Sequence, residues 1–207
     1  MLALPATPII LATASPTRQA MLRDAGLSFI SLSAAVDEES LRKAAHADGM
    51  TAADAATLIA EMKARQIARQ HPEAFVIGAD QLLECEGIWY AKPTDRKGAK
   101  ETLRNLSGRT HHLVTAAVVF KEDQRLWHQV ESPAISMRRL TEGFISSYLD
   151  AIGPEMITAT PGVYQIETLG AHLLSRIEGS PYAVLGLPLL PLLAFLREHG
   201  LDFQETS

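Results

Sequence analysis

The 207-residue chain holds a single cysteine, Cys85. No internal disulfide can form and no second thiol is at hand to share a metal, so a reducing, cytoplasmic setting is expected. Positive charge is not in excess. Nineteen Lys and Arg stand against 24 Asp and Glu, a formal net charge of -5, which argues against a non-specific binder of nucleic acid or anionic membrane. There is no run of like charges, no low-complexity tract and no internal repeat. No apolar run reaches the ~20 residues of a membrane span; the strongest candidate, Ala183–Leu196, carries Pro188 and Pro191. The apolar start, residues 1–14, has no basic region before it, the first basic residue being Arg18. It therefore reads as a buried strand rather than a signal peptide. Also missing are a nucleophile elbow, a Gly-x-x-x-x-Gly-Lys phosphate loop and a dinucleotide fingerprint. None of the seven histidines shows metal-ligand spacing, and the adjacent His111 and His112 read as structural.

What is present is a core. At 47% hydrophobic and 21% charged residues, the chain can bury a sizeable interior, and one domain over residues 1–207 is expected. Ile9–Leu11 reads as a short buried strand running into Ser15 and Pro16, a good N-cap and a good first helical residue. That helix stops before Gly26, and a strand follows over Phe29–Leu32. Asp37–Glu38–Glu39 reads as an acidic loop. Thr51 and Asp54 open a long helix in the manner of a capping box, with Ala55, Leu58, Ile59 and Met62 as its apolar stripe. Phe75–Ala79 predicts a buried strand with Asp80 at its end, and Leu82–Tyr90 a hairpin around Glu86–Gly87. Further helices are expected from Thr94 to Leu106, from Thr141 to Gly153 and from Leu189 to His199. Leu113–Phe120 and Leu126–Met137 read as paired strands, and Val163–Ile166 and His172–Ile177 as two more. Early alternation of strands and helices with a cluster of strands in the middle gives an α/β fold on a mixed sheet.

Four features could carry chemistry, each with a bland counterpart. The loop Thr13–Ala14–Ser15–Pro16–Thr17–Arg18 leads into a helix N-terminus, which attracts anions, and Thr13, Ser15 and Arg18 add donors suited to phosphate; an ordinary capped helix is the alternative. Asp80, ending a buried strand, lies where open α/β sheets bind ligands and could be a metal ligand, a general base or a turn residue. Glu38 in its acidic loop suits a hard cation such as Mg²⁺, or is simply solvated. Lys63 and Lys92 would ordinarily be solvent-facing lysines.

Taken in order, these segments form a pattern. Leu11–Arg18, Asp37–Glu38, Lys63–Ala64, Gly78–Ala79–Asp80, Lys92–Pro93, Leu106–His111, Ile177–Glu178–Gly179 and Gly186–Leu187–Pro188 together resemble the Maf family of nucleoside triphosphate pyrophosphatases, over almost the whole chain. The resemblance implies an elongated mixed β-sheet flanked by helices, with two lobes and a cleft, similar to the inosine-triphosphate pyrophosphatases. It implies cleavage between the α- and β-phosphates with a divalent metal, Mg²⁺ or Mn²⁺, and a homodimer. Asp80 would be the proton acceptor, and Glu38 with Asp80 would serve the metal. Thr13, Ser15, Arg18, Lys63 and Lys92 would face the triphosphate. A negatively charged substrate in an acidic protein requires local convergence of cations, so Arg18, Lys63 and Lys92 are expected to gather.

The departures bear on specificity. Thr13 stands where the family usually has Ser, and Thr17 where it usually has a second arginine. Gln81 follows the aspartate where the dTTP/UTP branch has threonine, and Glu167 replaces that branch's glutamine. Gln81 and Glu167 resemble the 7-methyl-GTP branch, although Thr17 does not match its usual aromatic. A carboxylate only accepts hydrogen bonds, so Glu167 suits the N1–H and N2–H₂ edge of guanine better than the O–N–O edge of thymine. The alternatives are a dTTP/UTP pyrophosphatase and a nucleotide-binding regulator of cell division without turnover. Ala159–Thr160–Pro161 stands in place of the usual Asp-Lys before Gly162, which points to altered rate or specificity.

Overall fold

A computed structural model describes residues 8–201; the first seven residues of the apolar start and the last six of the chain lie outside it. Eight strands form one open, mixed sheet flanked by helices. The described residues divide into two compact units, one made of residues 8–81, 114–131 and 180–201 and the other of residues 82–113 and 132–179.

The first unit is a helix–sheet–helix sandwich. Strands β1 (Ile9–Ala12), β2 (Ile30–Ser31) and β3 (Phe75–Cys85) pair in parallel with β1 in the middle, Ile10 beside Ile30 and Ile9 beside Phe75. The later part of β5 (Thr110–Lys121) pairs antiparallel with β6 (Gln124–Glu131). Strand side chains alternate between faces, and the two sets are buried differently. Ile9, Leu11, Phe75, Ile77, Ala117 and Val119 pack with Met21 and Leu22 of α1 (Pro16–Asp24) and with Leu192, Phe195 and Leu196 of α7 (Leu189–Glu198). Ile10, Ala12, Val76, Val118 and Phe120 pack with Ala60, Ala64, Ile67 and Ala68 of α3 (Ala52–Ala68). Small residues dominate that face of α3, so helix and sheet approach closely. At Gly78 a β-carbon would lie 2.2 Å from the Ala60 carbonyl oxygen and 2.8 Å from the Ala64 β-carbon. The absence of a side chain there is what the contact requires.

Two expectations for this unit change. The acidic loop is a helix start: Asp37 caps α2 (Glu38–Ala47), its side chain accepting from the Ser40 N–H at 3.1 Å. Thr51 caps α3 as expected, accepting from the Asp54 N–H at 3.1 Å, and its hydroxyl, rather than its backbone N–H, donates to the Asp54 carboxylate at 2.7 Å. But its buried stripe is rotated from the one expected. Met62 is exposed, while Lys63 is buried among the alanines.

In the second unit, the end of β3 forms a hairpin with β4 (Ile88–Tyr90), Leu83 opposite Tyr90. β3 thus runs without a break through Asp80 into the expected hairpin arm, where Leu83 and Cys85 are buried and paired with β4. Asp80 is therefore inside a strand. The start of β5 pairs antiparallel with β7 (Ala134–Met137), which pairs with β8 (Leu174–Glu178). Pro133 separates β6 from β7, having no N–H for the ladder. Helix α4 (Arg96–Leu106) is capped by Asp95, one residue past the expected Thr94. It lies beside α5 (Glu142–Ile157), which breaks at Gly153–Pro154 as its sequence implies. No strand forms over Val163–Ile166. Val163 sits at φ 60°, its carbonyl accepts from the Tyr148 hydroxyl at 2.8 Å, and the Tyr164 N–H and C=O both bond the Thr160 hydroxyl. These local bonds take the groups a ladder would need.

His111 is fully buried in this unit, 2.6 Å from the Tyr164 hydroxyl. Burial, with a smaller contribution from His112, pushes its pKa from 6.5 down to about 4. The neutral ring is favoured by folding, so this stability is fully present above pH 6.5. It is lost as pH falls from 6.5 towards 4, in total about 3 kcal/mol. In His111→Gln, the drop in urea-unfolding free energy between pH 7.5 and 5 should shrink accordingly. An unchanged pH slope would contradict this.

Candidate active site

The site grows from the α3 face of the sheet. Asp80 follows Gly78 by two residues on β3 and so shares its face, the one that receives α3. Because Gly78 lets α3 settle on the strand, Lys63 reaches Asp80: its Nζ donates to Asp80 Oδ1 at 2.8 Å and contacts Glu38 Oε1 at 2.7 Å. Asp80 is 1% exposed and Lys63 6%. An unpaired buried charge would be costly, and here each pairs with the other. The solvent-facing reading of Lys63 does not hold.

A fourth side chain completes the cluster. Arg42, one turn along α2 from Glu38, donates through Nη2 to Glu38 Oε2 and to both oxygens of Asp80, each at 3.1 Å. The sequence reading missed Arg42 because it missed α2. The signal was present as Glu38–Arg42 and Glu39–Lys43, two acid–base pairs at the i,i+4 spacing that supports a helix, just after a capping aspartate. Both pairs form.

The first loop of the unit is built as its sequence suggests. Ser15 caps α1, accepting from the Arg18 N–H at 3.4 Å, and the Thr13 hydroxyl accepts from the Ser15 N–H at 3.1 Å. Each hydroxyl keeps an O–H to donate. Arg18 Nε donates to the Gly186 carbonyl at 2.7 Å. Gly186 lies at φ 101°, and a β-carbon there would come within 3.2 Å of the Arg18 guanidinium. Desolvation lowers the Arg18 pKa, while the charges of Asp80 and Glu38 oppose the shift and that of Arg42 adds to it. Arg18 therefore belongs to the same electrostatic cluster. Thr17 is half-buried in the first turn of α1.

Gln81 points to the opposite face from Asp80. Its amide nitrogen donates to Thr115 Oγ1 at 2.8 Å and to the carbonyls of Ala183 and Val184 at 2.9 and 3.2 Å. Those residues belong to the same unit, Ala183 and Val184 lying on the short helix α6 (Pro181–Val184). Lys92 and Glu167 are exposed residues of the second unit, Lys92 just after β4 and Glu167 in the turn before the 3₁₀ segment Leu169–Leu173. Of the three expected cations, then, Lys63 contacts Asp80 directly, Arg18 lies in the same unit and feels its charge, and Lys92 belongs to the other unit. Cys85 is buried, its thiol pKa raised chiefly by desolvation, as suits a strand residue rather than a nucleophile.

The family model described as "Maf-like protein" matches residues 8–199. The chain belongs to the Maf-like family. A protein of Granulibacter bethesdensis called nucleoside triphosphate pyrophosphatase is 47% identical over 191 residues, 92% of this chain and 96% of the relative. One of the same description from Nitrobacter hamburgensis is 48% identical over 195 residues, 94% and 95% of the two chains. A 7-methyl-GTP pyrophosphatase of Rhizobium meliloti is 44% identical over 192 residues, 93% and 96%. Both descriptions thus occur among Maf-like relatives at similar distance from this chain.

The donor set can be tested against a divalent ion. Among the described residues no group of three or more His, Cys, Asp or Glu side chains could hold one. Two carboxylates, Glu38 and Asp80, do converge on a shared ammonium. Mg²⁺ commonly takes one or two carboxylates and completes its shell with water and substrate phosphate. The pair fits such an ion, with the rest of its shell left to water and phosphate.

Proposed function

We infer that this chain is a nucleoside triphosphate pyrophosphatase, a hydrolase that splits the α–β phosphoanhydride of a modified or non-standard nucleotide. The products are a nucleoside monophosphate and pyrophosphate. The observation that carries the reading is the buried Asp80 carboxylate, held with Glu38 by Lys63 and Arg42, in a family whose relatives bear that description.

In this reading Asp80 accepts the proton of the attacking water as the new P–O bond forms and the bridging P–O bond breaks. Its rigid seat on β3, rather than on a loop, favours accurate placement. Lys63 orients the carboxylate and offers charge to the phosphates. Arg18, with the Thr13 and Ser15 hydroxyls at the N-terminus of α1, binds phosphate oxygens. Glu38 and Asp80 would hold a hard divalent ion, which when bound neutralises triphosphate charge and aligns the water. A homodimer in the cytoplasm, acting on free nucleotides rather than nucleic acid, completes the reading. No helix among the described residues is long and apolar enough to cross a membrane.

The base is assigned to the guanine type, with 7-methyl-GTP foremost. Glu167 can only accept hydrogen bonds while ionised. Gln81 already spends its amide nitrogen on protein acceptors, which leaves its carbonyl oxygen to offer. Each is by itself an acceptor, the kind of partner that the donor edge of guanine takes. Product analysis after incubation of 7-methyl-GTP, GTP, UTP, dTTP and ATP with Mg²⁺ tests this. Monophosphate and pyrophosphate in equal amounts, fastest from 7-methyl-GTP, are expected. Glu167→Gln should move the kcat/KM ratio of 7-methyl-GTP to dTTP at least about tenfold towards dTTP, the value of one lost discriminating hydrogen bond. Nucleoside diphosphate with orthophosphate would contradict the reaction. An unmoved ratio would remove Glu167 from base selection and favour the dTTP/UTP alternative.

A further inference from the structure

Arg42 is a poor fit to the place it holds. Arginine normally meets carboxylates through its fork, two parallel N–H···O bonds to one acid. Here a single nitrogen, Nη2, lies 3.1 Å from three oxygens belonging to two acids, Glu38 Oε2 and Asp80 Oδ1 and Oδ2. Meanwhile its Nε is buried with no hydrogen-bond partner. Such an orphaned donor costs free energy that a properly seated guanidinium would not incur. One point of positive charge, equidistant from three carboxylate oxygens, is the arrangement a small cation makes rather than the one arginine prefers.

We propose that Arg42 is an exchangeable internal counter-ion: its Nη2 keeps Glu38 and Asp80 together when no metal is bound, and it gives up that place to the divalent cation. Lys63 is not exchanged. It is buried, sits on α3 among packed alanines, and bridges the same two acids from the other carboxylate oxygen of Glu38. Arg42 by contrast lies on α2, its side chain is 21% exposed, and it has water to move into. Without a cation at that point, two acids would share one lysine, and their repulsion would tend to separate α2 from β3. With a cation that could not leave, the metal could not enter. An arginine with an unsatisfied Nε meets both needs, because its release recovers the hydration of that nitrogen. Arg42 is thus a positioning residue that acts through Glu38 and Asp80. The inference rests on the reading of this pair as the metal-holding acids, and it assigns a function to a side chain outside that reading.

Mn²⁺ binding to the full chain without nucleotide, followed by the electron paramagnetic resonance of the free ion, tests it. Arg42→Gln should bind Mn²⁺ about tenfold more tightly than wild type, the equivalent of roughly 1.4 kcal/mol no longer spent on displacing the arginine. Arg42→Lys, which keeps a charge on a shorter reach, should fall between and serves if the glutamine variant folds poorly. Adding Glu38→Gln to Arg42→Gln should cancel the gain. Without metal Arg42→Gln should melt below wild type, and saturating Mn²⁺ should narrow the gap. Equal or weaker Mn²⁺ binding by both variants, or no Mn²⁺ uptake by any of the proteins, would overturn the exchange. Metal-dependent pyrophosphate release by wild type, measured on the same preparation, keeps the two questions apart. Release together with the wrong order of affinities removes only the role of Arg42, whereas no release with any nucleotide removes the underlying reading.

Discussion

Lys63→Met should lose both stability and turnover. The methionine matches the length of the lysine stem and the buried setting on α3, but it leaves Asp80 and Glu38 without the ammonium they share. Removing one member of a buried ion pair costs 3–5 kcal/mol when nothing replaces it. Arg42 remains on both Asp80 oxygens and Glu38 is half-exposed, so about 3 kcal/mol is expected, read as a lower urea midpoint at unchanged slope. The carboxylate also loses the group that orients it, and kcat should fall by at least about a hundredfold, the effect of one lost electrostatic contact at a reacting centre. A variant with wild-type unfolding would mean that the buried pair contributes little to the fold. One with wild-type kcat would take Lys63 out of the active site.

Gly78→Ala is the second large effect, and it acts through backbone. The new β-carbon would stand 2.2 Å from the Ala60 carbonyl oxygen, which is part of α3 and cannot rotate away. The helix must lift from β3, and the small-residue face of Ala60, Ala64 and Ala68 loses its contact with the sheet. Overpacking of this kind costs 1–3 kcal/mol and sometimes more; about 3 kcal/mol is expected here because the obstacle is main chain. Since Lys63 rides on the same helix, its 2.8 Å bond to Asp80 should lengthen, and activity should fall further than stability alone explains. Ala64→Gly in the same chain removes the 2.8 Å contact but not the carbonyl, so it should restore only part of the loss. Full restoration would show that the side chain, not the helix backbone, is the obstacle.

Much of this architecture was legible in the sequence. Caps at Ser15, Thr51 and Thr141, the Glu86–Gly87 turn and the buried apolar strand over Phe75–Ala79 each fix their geometry through a local cause, and each forms as expected. Part of what was not legible depends on partners distant in sequence. Asp80 looked like the end of a strand because apolar composition breaks there, yet β3 continues where β4 gives it a neighbour. Lys63 looked solvent-facing because a lysine beside an apolar stripe usually is. Its burial follows from the missing side chain at Gly78 and the carboxylate two residues on, neither of which a helical wheel contains. Val163–Ile166 has strand composition but spends its backbone bonds on Thr160 and Tyr148. Arg42 was hidden by a short helix rich in charge and poor in apolar residues, for which pairing rather than periodicity was the signal.

The central claim is that Asp80 is the working carboxylate of a nucleotide pyrophosphatase, and one comparison tests it most directly. Pyrophosphate release from 7-methyl-GTP with Mg²⁺ should be measured for wild type beside Asp80→Asn, a near-isosteric change that removes the charge and the proton acceptor together. The account predicts stoichiometric pyrophosphate from wild type and a loss of at least about a thousandfold in the variant, within the range that general-base catalysis supplies. Equal release by the two proteins, with both folded by circular dichroism, would contradict it.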